Sequence, residues 1–584
     1  MPRKKKLDKF AIAATLQEIA ALLELRGGVD RFKSRAYRTG ARVIAGYSGD
    51  VGDLIAQNGL TSLRGIGEAL ASQITQLHRT GSSSVLDSLH KEFPPGVIEL
   101  MSIPGLTLSR IRRLYEELGI TSTKELQAAA EAGKLRSVQG FGVKTEQNLL
   151  EALRGEEKRV KSNRRIHLHN AERIASHIVD YLGTSRAITQ VDIAGSLRRW
   201  KETVGVLRVV VVARNPKKAV DHFLQFPLIV RTESQDEHSV TVELLEGVRV
   251  MVVVVQPEQS AVALLVATGS ATHVSRLTQI AVKRRLKLET TAFQFSTNAA
   301  KGASPVSENE IYTRLQMQFV PPELRENDGE IEAAMRRTLP KDLIEVQHIQ
   351  GMVHCHTTYS DGVNSIEEMA RAADTLRMKY LTITDHSPTA FYAGGVTVDQ
   401  LERQWEEIAE VQEKVGVRLL KGTESDITAD GSLDYPDRIL VQFDVIVASI
   451  HSRYKMDSEK MTRRLITAMR QPVFKIWGHA LGRLLERRPP FECDVEKVLD
   501  TIAESKAAIE INGDPYRLDL EPRWIREARK RQIKFVISVD AHSTGALNNL
   551  KYGVAMARRG WVRKGEVLNA LGVRGFRQAV RPAQ

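Results

Sequence analysis

Val353-His-Cys-His-Thr-Thr-Tyr-Ser-Asp-Gly362 is the stretch of this chain that most constrains its fold. It ends a short apolar run and places two histidines, His354 and His356, two residues apart, with Asp361 following them. Residues i and i+2 of a β-strand point to the same side, so the two imidazoles can converge on one ion. The stretch therefore predicts a metal-binding site at the end of a strand.

Six more candidate ligands occur at the ends of other short apolar runs. Helix-like stretches such as Ser365–Arg377 and Gln400–Val415 separate most of these runs, and the alternation predicts parallel strands in an α/β fold. Seven such repeats can close into a barrel, whose chemistry is expected at the carboxyl ends of the strands, where six of the seven runs carry ligands. The seven runs are Gly351–His356, Tyr380–His386, Arg418–Glu424, Phe443–His451, Phe474–His479, Ala507–Asn512 and Lys534–His542. The additional ligands are His386, Glu424, His451, His479, Asp540 and His542.

The number and type of these side chains indicate the chemistry. Nine ligands are too many for one ion, so the sequence predicts two or three divalent metals. Imidazole and carboxylate ligands without thiolate suit Zn²⁺, Mn²⁺ or Fe²⁺. Clustered ions suit phosphoester hydrolysis, because one ion can activate water while the others stabilise the attacking and leaving oxygens. Any single histidine of the set would more often be an ordinary core or surface residue, and Cys355 is expected to be a small packed residue.

The composition sets wide limits on function. The 584 residues suffice for three to five domains at about 150 residues each. No apolar run approaches the roughly 18 residues of a membrane helix, and no apolar signal segment follows the basic start. Two cysteines, Cys355 and Cys493, cannot build a disulfide framework, which fits a reducing cytoplasm. The net charge of +13 and the pI near 9.5 weakly indicate a polyanionic partner.

Glycine-rich turns recur three times in the first 150 residues, each before a helix-like segment. They are Leu63-Arg-Gly-Ile-Gly67, Ile103-Pro-Gly-Leu106 and Val138-Gln-Gly-Phe-Gly142. They resemble helix–hairpin–helix motifs, in which backbone N–H groups at a tight turn bind a DNA phosphate without reading sequence. The second motif has Thr107 at its second glycine position, so a purely structural role is open for it. The candidate phosphate-binding residues are Gly65, Gly67, Gly105, Gly140, Gly142 and Lys144.

The nine-ligand pattern resembles the PHP (polymerase and histidinol phosphatase) family, and all nine ligand positions of that family's pattern are filled. The resemblance implies a distorted seven-stranded barrel with a trinuclear metal centre. By analogy, one metal is held by the catalytic set His354, His356, Glu424 and Asp540, a second by Glu424, His451 and His479, and a third by Asp361, His386 and His542. Nearby arginines are candidates for binding substrate phosphates, with a solvated surface role equally open: Arg453, Arg483, Arg487, Arg488 and Arg517.

The middle of the chain becomes rich in β-type runs from about Ile188. There, the segment Ala194-Gly-Ser-Leu-Arg-Arg-Trp-Lys-Glu-Thr-Val-Gly205 resembles the nucleotidyltransferase signature of family X DNA polymerases. With the motifs before it and the PHP pattern behind it, the resemblance spans essentially the entire chain and is to the bacterial PolX family, a polymerase core fused to a PHP exonuclease. The phosphate contacts that this resemblance implies are Gly195, Ser196, Arg199, Gly269 and Ser270.

The chain departs from the polymerase pattern where catalysis would occur. Family X polymerases follow the signature with Asp-x-Asp and supply a third Asp from a later strand, and these carboxylates hold two Mg²⁺ ions. The corresponding residues are Val206, Arg208 and Met251. Valine and methionine offer no oxygen ligand, and Arg208 puts a positive charge where Mg²⁺ would bind, so no Mg²⁺ is expected there. The lysine that forms a Schiff base in lyase-competent relatives aligns with Gln73, which cannot do so.

These observations predict a multidomain protein that combines helical and α/β parts. Residues 1–85 are expected to form a helical DNA-binding domain with the first helix–hairpin–helix motif, and 86–160 a fingers-like helix–hairpin–helix domain. Residues 161–318 are expected to form a degenerate nucleotidyltransferase-like palm and thumb, and 319–345 a linker. Residues 346–584 are expected to form the PHP phosphoesterase barrel.

The expected function is metal-dependent 3′→5′ hydrolysis of DNA in repair, in the bacterial cytoplasm at the nucleoid. The core would hold gapped, nicked or 3′-recessed DNA without polymerase activity. The expected cofactors are two to three ions of Zn²⁺ or Mn²⁺, with Fe²⁺ a further option. Three alternatives stay open: an active gap-filling polymerase with proofreading, in which Glu202 or Glu243 replaces the lost carboxylates; a phosphatase for a small monoester; and a non-catalytic DNA-binding scaffold.

Overall fold

The computed structural model describes most of the chain and divides it into two compact units, Met1–Asn163 and Arg164–Gln584. The described residues are 7, 9–26, 30–46, 51–56, 58–63, 65–93, 97, 100, 106, 108–143, 145–147, 149–150, 165–244, 247–297 and 304–582. Two predicted phosphate-binding residues, Gly105 and Lys144, lie outside them. Within the described ranges, no helix combines the length and apolar character needed to cross a membrane.

The first unit is helical, as predicted. Apolar residues at helical spacing, such as Leu16, Ile19 and Leu23, are buried in its core. Its helices in the described ranges are α1 Lys9–Arg26, α2 Asp30–Gly46, α3 Val51–Ala56, α4 Glu68–Thr80, α5 Ser84–Glu92, α6 Leu108–Leu118 and α7 Thr123–Glu131.

Two glycine turns of this unit have the same local structure. Each follows a short 3₁₀ turn, Gly59–Ser62 in one case and Lys134–Ser137 in the other. The first glycine of each motif has a positive φ, 97° at Gly65 and 95° at Gly140, which only glycine adopts without strain. The second glycine, Gly67 or Gly142, comes immediately before the helical residues that follow.

The second unit begins with a five-stranded sheet in the order β2-β4-β7-β6-β5. One face of its central strands is buried and the other is partly covered, which explains the nearly continuous valine runs. The strands of this part are β1 Ile166–His167, β2 Ile188–Ala194, β3 Thr203–Val204, β4 Val206–Ala213, β5 Ile229–Gln235, β6 Ser239–Leu244, β7 Arg249–Val255, β8 Leu286–Glu289 and β9 Gln294–Thr297. The helices are α8 Leu168–Gly183, α9 Gly195–Arg198, α10 Pro216–Phe223, α11 Ser260–Thr268, α12 Ala271–Lys283, α13 Glu308–Arg314 and α14 Glu330–Arg336.

The segment 319–345, which was expected to be a linker, is packed in the structure. Leu324 and Ile331 belong to the same apolar cluster as Leu277 and Tyr312. The Arg325 side chain is fully buried and donates to the Glu308 carboxylate. The Ile344 N–H donates to the Val562 carbonyl at 3.0 Å and Glu323 pairs with Arg558, so this segment joins the helices before it to the barrel that follows.

The last part forms the predicted seven-stranded parallel sheet, in the order β10 to β16. Its strands are β10 Gly351–Met352, β11 Tyr380–Ile383, β12 Arg418–Asp426, β13 Val445–Ser449, β14 Ile476–Trp477, β15 Ala508–Asn512 and β16 Phe535–Ser538. The helices are α15 Ile366–Thr375, α16 Val398–Gln412, α17 Asp437–Leu440, α18 Ser458–Met469, α19 Val495–Ser505, α20 Pro522–Lys530, α21 Leu550–Arg559 and α22 Val573–Val580.

The first and last strands meet at two places, and the predicted distorted barrel is confirmed. At the carboxyl end, Cys355 and Ala541 form a parallel bridge, and the Ala541 N–H donates to the His354 carbonyl at 3.0 Å. At the amino end, hydrogen bonds of the buried Asn569 side-chain amide replace backbone pairing between the first and last strands. Its Nδ2 donates to the carbonyls of Gly351 at 3.1 Å and Ile537 at 2.7 Å, and its Oδ1 accepts from the Ile537 N–H at 2.9 Å.

Replacing Asn569 with alanine should destabilise the barrel. The substitution leaves three buried backbone groups without partners, and each such group costs about 1–3 kcal/mol. We expect the free energy of unfolding to fall by roughly 3 kcal/mol, measured by urea denaturation with tryptophan fluorescence. The exposed Asn548, whose amide donates only to the Gly545 carbonyl, provides the control, since Asn548→Ala should change stability by less than about 0.5 kcal/mol. Equal effects of both substitutions would contradict a closing role for Asn569.

Candidate functional site

Four of the nine predicted ligands form a buried cluster where the first and last strands meet. The His354 Nε2 atom lies 3.2 Å from Glu424 Oε2 and 3.4 Å from Asp540 Oδ1. The His356 Nε2 atom lies 3.2 Å from Asp540 Oδ1 and 3.5 Å from Glu424 Oε2. These four side chains are all buried, so their polar atoms face one another rather than water.

The second oxygen of Glu424 serves a neighbouring cluster. Glu424 Oε1 lies 2.9 Å from His479 Nε2 and 3.2 Å from His451 Nε2, and the two histidine nitrogens are 3.2 Å apart. One carboxylate therefore stands between two groups of histidines, an arrangement that sequence spacing did not reveal.

The remaining ligands form a third group at the edge of the site. Asp361 Oδ1 lies 3.1 Å from His542 Nε2, 3.6 Å from His386 Nε2 and 3.8 Å from His356 Nδ1. The side chains of Asp361 and His542 are 36% and 38% exposed, whereas those of the other seven residues are buried or nearly so. This edge is the side from which solvent reaches the cluster.

The donor set fits divalent metals. Buried polar atoms in proteins normally have hydrogen-bond partners. Nevertheless, both ring nitrogens of His356, the His354 Nε2 and the Glu424 Oε2 are buried without one. Lone pairs that converge in this way are what a bound ion requires.

The electrostatics of His354 lead to the same conclusion. Burial disfavours its cationic form, but the carboxylates of Glu510, Glu424 and Asp540 outweigh burial and hold the pKa of His354 well above its usual range. The same negative potential that favours a proton at this ring favours a divalent cation beside it.

The backbone brings these side chains together differently from the strand alternation that the sequence predicted. Strand β10 ends at Met352, and His354 lies in the left-handed region with φ of 65°. Asp540 is likewise left-handed, with φ of 51°. Such conformations are uncommon for residues with a side chain and cluster at functional sites. The two histidines of the opening motif converge because the chain turns at His354, not because a regular strand continues through it.

Sequence analysis missed Glu510, which supports two of the ligands. Its carboxylate accepts from His354 Nδ1 at 2.5 Å and from the His479 backbone N–H. It also accepts from Asn512 Nδ2 at 3.2 Å. A carboxylate at Nδ1 fixes the tautomer of a histidine and leaves Nε2 for a metal. The signal was a charged residue inside the apolar run Ala507–Asn512, the one run of the seven without a ligand.

Asp426 has the same role for His451. Its carboxylate accepts from His451 Nδ1, and the Thr389 hydroxyl donates to it at 3.1 Å. Asp426 follows Glu424 by two residues, so the same strand supplies a predicted ligand and the partner of another.

The five candidate arginines occupy different environments. Arg517 lies at the ligand cluster, with its Nε 3.1 Å from Asp540 Oδ2. Arg483 binds protein groups instead, including the Glu521 carboxylate at 3.1 Å. Arg488 lies over the Tyr454 ring at 3.7 Å and Arg487 lies 5.8 Å from the Tyr516 ring. Arg453 is exposed.

The three altered polymerase positions lie side by side on one face of the five-stranded sheet. Arg208 of β4 pairs in register with Met251 of the parallel strand β7, and Val206 lies two residues before it. On the other side of β4, Arg208 pairs with Ala194 of β2. The Arg208 side chain packs against Gly195, where an added Cβ would lie 3.2 Å from the Arg208 Cβ. Burial, followed by the charge of Arg199, lowers the pKa of Arg208. The sheet thus keeps the positions but not the carboxylates.

The residues expected to contact phosphate in this region bind neighbouring protein groups. Arg199 links the signature segment 194–205 to the glycine turn at 268–270, because its Nη1 donates to the Thr268 carbonyl at 2.5 Å. Its Nε donates to Glu326 at 2.8 Å. The Ser270 hydroxyl accepts from the His273 N–H at 3.1 Å and caps helix α12. Gly195 and Ser196 begin the short helix α9, and Gly269 precedes Ser270.

Comparison with known proteins identifies the family. A helix-hairpin-helix domain model matches residues 8–83, a SAM-like helix-hairpin-helix tandem 97–155, a DNA polymerase beta thumb 263–326 and a PHP domain 353–514. The chain is 35% identical over 567 residues to a Bacillus subtilis protein named DNA polymerase/3′-5′ exonuclease PolX, covering 97% of this chain and 98% of that one. The chain belongs to the bacterial PolX family. Two probable phosphatases match about a third of this chain. One, from Caldanaerobacter subterraneus, is 30% identical over 32% of this chain and 74% of its own length. The other, from Thermoanaerobacter sp., is 28% identical over 37% and 88%.

The two alternative carboxylates for the polymerase site, Glu202 and Glu243, are both paired with arginines. Glu243 is paired with Arg231 at 2.7 Å. Glu202 is paired with Arg559 of the barrel at 2.7 Å. Both carboxylates are therefore already neutralised by arginines, which compete with any Mg²⁺.

Two further sets of predicted positions lie in the first unit: Gln73, which aligns with the lyase lysine, and the second glycines of the two turns, Gly67 and Gly142. Gln73 accepts from the Ser83 hydroxyl at 3.1 Å. An added Cβ at Gly67 or Gly142 would meet no atom within 4 Å. Neither of these two glycines has a left-handed φ, so nothing inside the described structure requires the lack of a side chain there.

Glu510 should matter for metal binding although it is not among the predicted ligands. Loss of a group that orients a metal-binding histidine typically costs 10- to 100-fold in metal affinity or activity. We expect Glu510→Gln to weaken binding of Mn²⁺ or Zn²⁺ by about that factor, measured by metal titration of the folded protein. The exposed Glu504 gives a matched control, since Glu504→Gln should bind metal like the wild type. Unchanged affinity in Glu510→Gln would show that the carboxylate has no part in holding the site.

Proposed function

We propose that this protein is a metal-dependent 3′→5′ exonuclease on DNA, acting through its barrel, with a DNA-binding core that does not polymerise. One observation carries the proposal: nine convergent metal-type side chains share a chain with a palm whose carboxylate positions are Val206, Arg208 and Met251. The name of the Bacillus subtilis relative includes both polymerase and 3′-5′ exonuclease. This chain has no carboxylates at the usual polymerase positions.

The three clusters provide places for two to three ions. We assign one to the catalytic set, namely His354, His356, Glu424 and Asp540. A second would be held by Glu424, His451 and His479, and a third by Asp361, His386 and His542. Zn²⁺ or Mn²⁺ suits these donors, with Fe²⁺ a further option. The chemistry that bound ions supply is activation of a water and stabilisation of charge on the phosphoryl oxygens.

The protein's own side chains orient the metal-type ligands and attract the substrate phosphate. Glu510 and Asp426 hold the rings of His354 and His451 with Nε2 toward the cluster. Arg517 adds a cation beside Asp540, where a substrate phosphate can accept charge-assisted hydrogen bonds. We expect the end of a DNA strand to enter the site at the exposed edge formed by Asp361 and His542.

The front half supplies the reason for choosing DNA as the substrate. Two turns of helix–hairpin–helix type present backbone N–H groups, which bind phosphates without regard to sequence. The net charge of +13 adds long-range attraction to a polyanion. We propose gapped, nicked or 3′-recessed ends as the preferred DNA and repair at the bacterial nucleoid as the setting. The domain boundaries predicted from the sequence belong to this proposal.

A phosphatase for a small monoester is the second candidate. It is favoured by the likeness of about a third of this chain to two probable phosphatases. Comparing p-nitrophenyl phosphate and histidinol phosphate with DNA separates the two. The glycine turns favour DNA, because a small monoester has no need of them.

A labelled-primer assay tests the main proposal. The wild-type protein with Mn²⁺ or Zn²⁺ should shorten a 3′-recessed or single-stranded oligonucleotide. The double variant His354→Ala/His356→Ala should reduce this rate at least about 100-fold, because it removes two nitrogen donors from one cluster.

The same assay with dNTPs and Mg²⁺ tests the loss of polymerisation. We expect no primer extension, since Val206, Arg208 and Met251 cannot hold Mg²⁺. Extension at an ordinary polymerase rate would overturn this part of the proposal. Hydrolysis of monoesters without hydrolysis of DNA would favour the phosphatase instead.

The second glycines give a separate test of DNA binding. The double variant Gly67→Ala/Gly142→Ala should fold normally, because the added Cβ atoms meet open space. It should raise the Kd for DNA roughly 10-fold, since methyl groups would stand where a phosphate approaches the backbone N–H groups. Fluorescence anisotropy with a labelled duplex measures this, and Gly183→Ala, also at an open position, is the control. An unchanged Kd in the double variant would remove both turns from the DNA-binding surface.

A further inference from the structure

Glu202 belongs to the palm but binds the barrel. Its carboxylate accepts from Arg559 Nη1 at 2.7 Å and lies 3.7 Å from Arg483 Nη2. Burial opposes its charge, but Arg559, Arg483 and Lys201 outweigh burial and lower the pKa of Glu202 to about 2. The carboxylate is therefore ionised at all physiological pH values and is matched to two barrel arginines.

Arg483 connects this carboxylate to a loop of the barrel. Its Nε donates to the Arg517 carbonyl at 3.0 Å, and its Nη2 donates to the Leu518 carbonyl. Its Nη1 binds the Glu521 carboxylate at 3.1 Å. One guanidinium thus fixes the backbone of two successive loop residues.

The loop held in this way carries the arginine at the metal-type cluster. Arg517 Nε lies 3.1 Å from Asp540 Oδ2 and 3.9 Å from Asp514 Oδ2. The backbone that Arg483 grips is therefore the backbone from which Arg517 projects. A continuous path of contacts runs from palm Glu202 through Arg483 and Arg517 to Asp540.

We propose that Glu202 is a positioning residue for the barrel's hydrolytic site. Its charge holds Arg483 against the Arg517–Leu518 backbone and so sets Arg517 beside Asp540. This inference rests on the proposed hydrolase function and assigns a part of it to the palm. Misplacement of a charged group by about 1 Å is enough to slow an enzyme strongly.

Glu172 provides a matched comparison. It also joins the palm to the barrel, since it accepts from Lys551 Nζ at 2.7 Å and from the Tyr552 hydroxyl at 2.6 Å. Both partners lie on helix α21, and in the described part of the chain neither contacts a predicted ligand. The two glutamates therefore separate a general role in joining the domains from a role in positioning the site.

Steady-state kinetics of the full-length protein with Mn²⁺ and a single-stranded oligonucleotide test the proposal. Glu202→Gln keeps the shape of the side chain and removes its charge. We expect kcat to fall about 10-fold with KM and metal content within twofold of the wild type. Glu172→Gln should leave kcat within twofold. Because Glu202 acts through Arg483, the double variant Glu202→Gln/Arg483→Gln should be no slower than Arg483→Gln alone.

Hydrogen–deuterium exchange gives a readout that does not need activity. Peptides covering Asp514–Leu520 should exchange faster in Glu202→Gln than in the wild type or in Glu172→Gln. Unchanged exchange and kcat in Glu202→Gln would overturn the proposal, as would an equal loss of kcat in Glu172→Gln. Absence of hydrolysis by the wild-type protein would contradict the proposed function instead, and exchange would still decide whether Glu202 holds the loop.

Discussion

The Glu424 carboxylate is the constraint on which the barrel's site depends. Its Oε1 faces two histidines, His451 and His479, its Oε2 faces three, His354, His356 and His386, and the side chain is almost fully buried. A buried carboxylate is costly unless cations or hydrogen-bond donors surround it. Five histidines after strands β10, β11, β13 and β14 surround Glu424, and His354 and His356 also face Asp540 after the last strand, so the first and last strands must meet. The Cys355–Ala541 bridge and the Asn569 amide achieve this closure at opposite ends of the barrel.

The palm is the opposite case, in which the strand positions are kept without the carboxylates of the family pattern. Arg208 and Met251 still pair in register. Three carboxylates at adjacent strand positions repel one another unless metal ions are bound. Valine and methionine remove that repulsion and extend the apolar surface of the sheet, so the fold has no need of the lost residues. The strand pairing of the sheet therefore does not depend on carboxylates at these positions, since a fold does not by itself imply a function.

The sequence predicted the barrel, the nine candidate ligands and the two described glycine turns, because each leaves a local pattern. Apolar runs ending in histidine, and Gly-x-Gly before a helix, are visible within ten residues. Glu510 and Asp426 were missed because their partners come from other strands, and a lone carboxylate in a strand has no distinctive spacing. The left-handed backbone at His354 was missed as well, since i and i+2 spacing fits a regular strand equally well. Glu202 was considered only for the polymerase site, because its partner Arg559 lies 357 residues away.

Two glutamates of the palm, Glu202 and Glu172, bind basic side chains of the barrel. Arg559 and Arg483 are almost fully buried, and Glu202 pairs with Arg559 at 2.7 Å and lies 3.7 Å from Arg483, which also binds Glu521. Removing one partner of a buried ion pair is strongly destabilising, because the other charge is left uncompensated. A barrel separated from the palm would lose Glu202 and Glu172 together and leave these arginines without that carboxylate. The proposed hydrolase would then depend on the palm's fold and its glutamates, whatever residues stand at Val206, Arg208 and Met251.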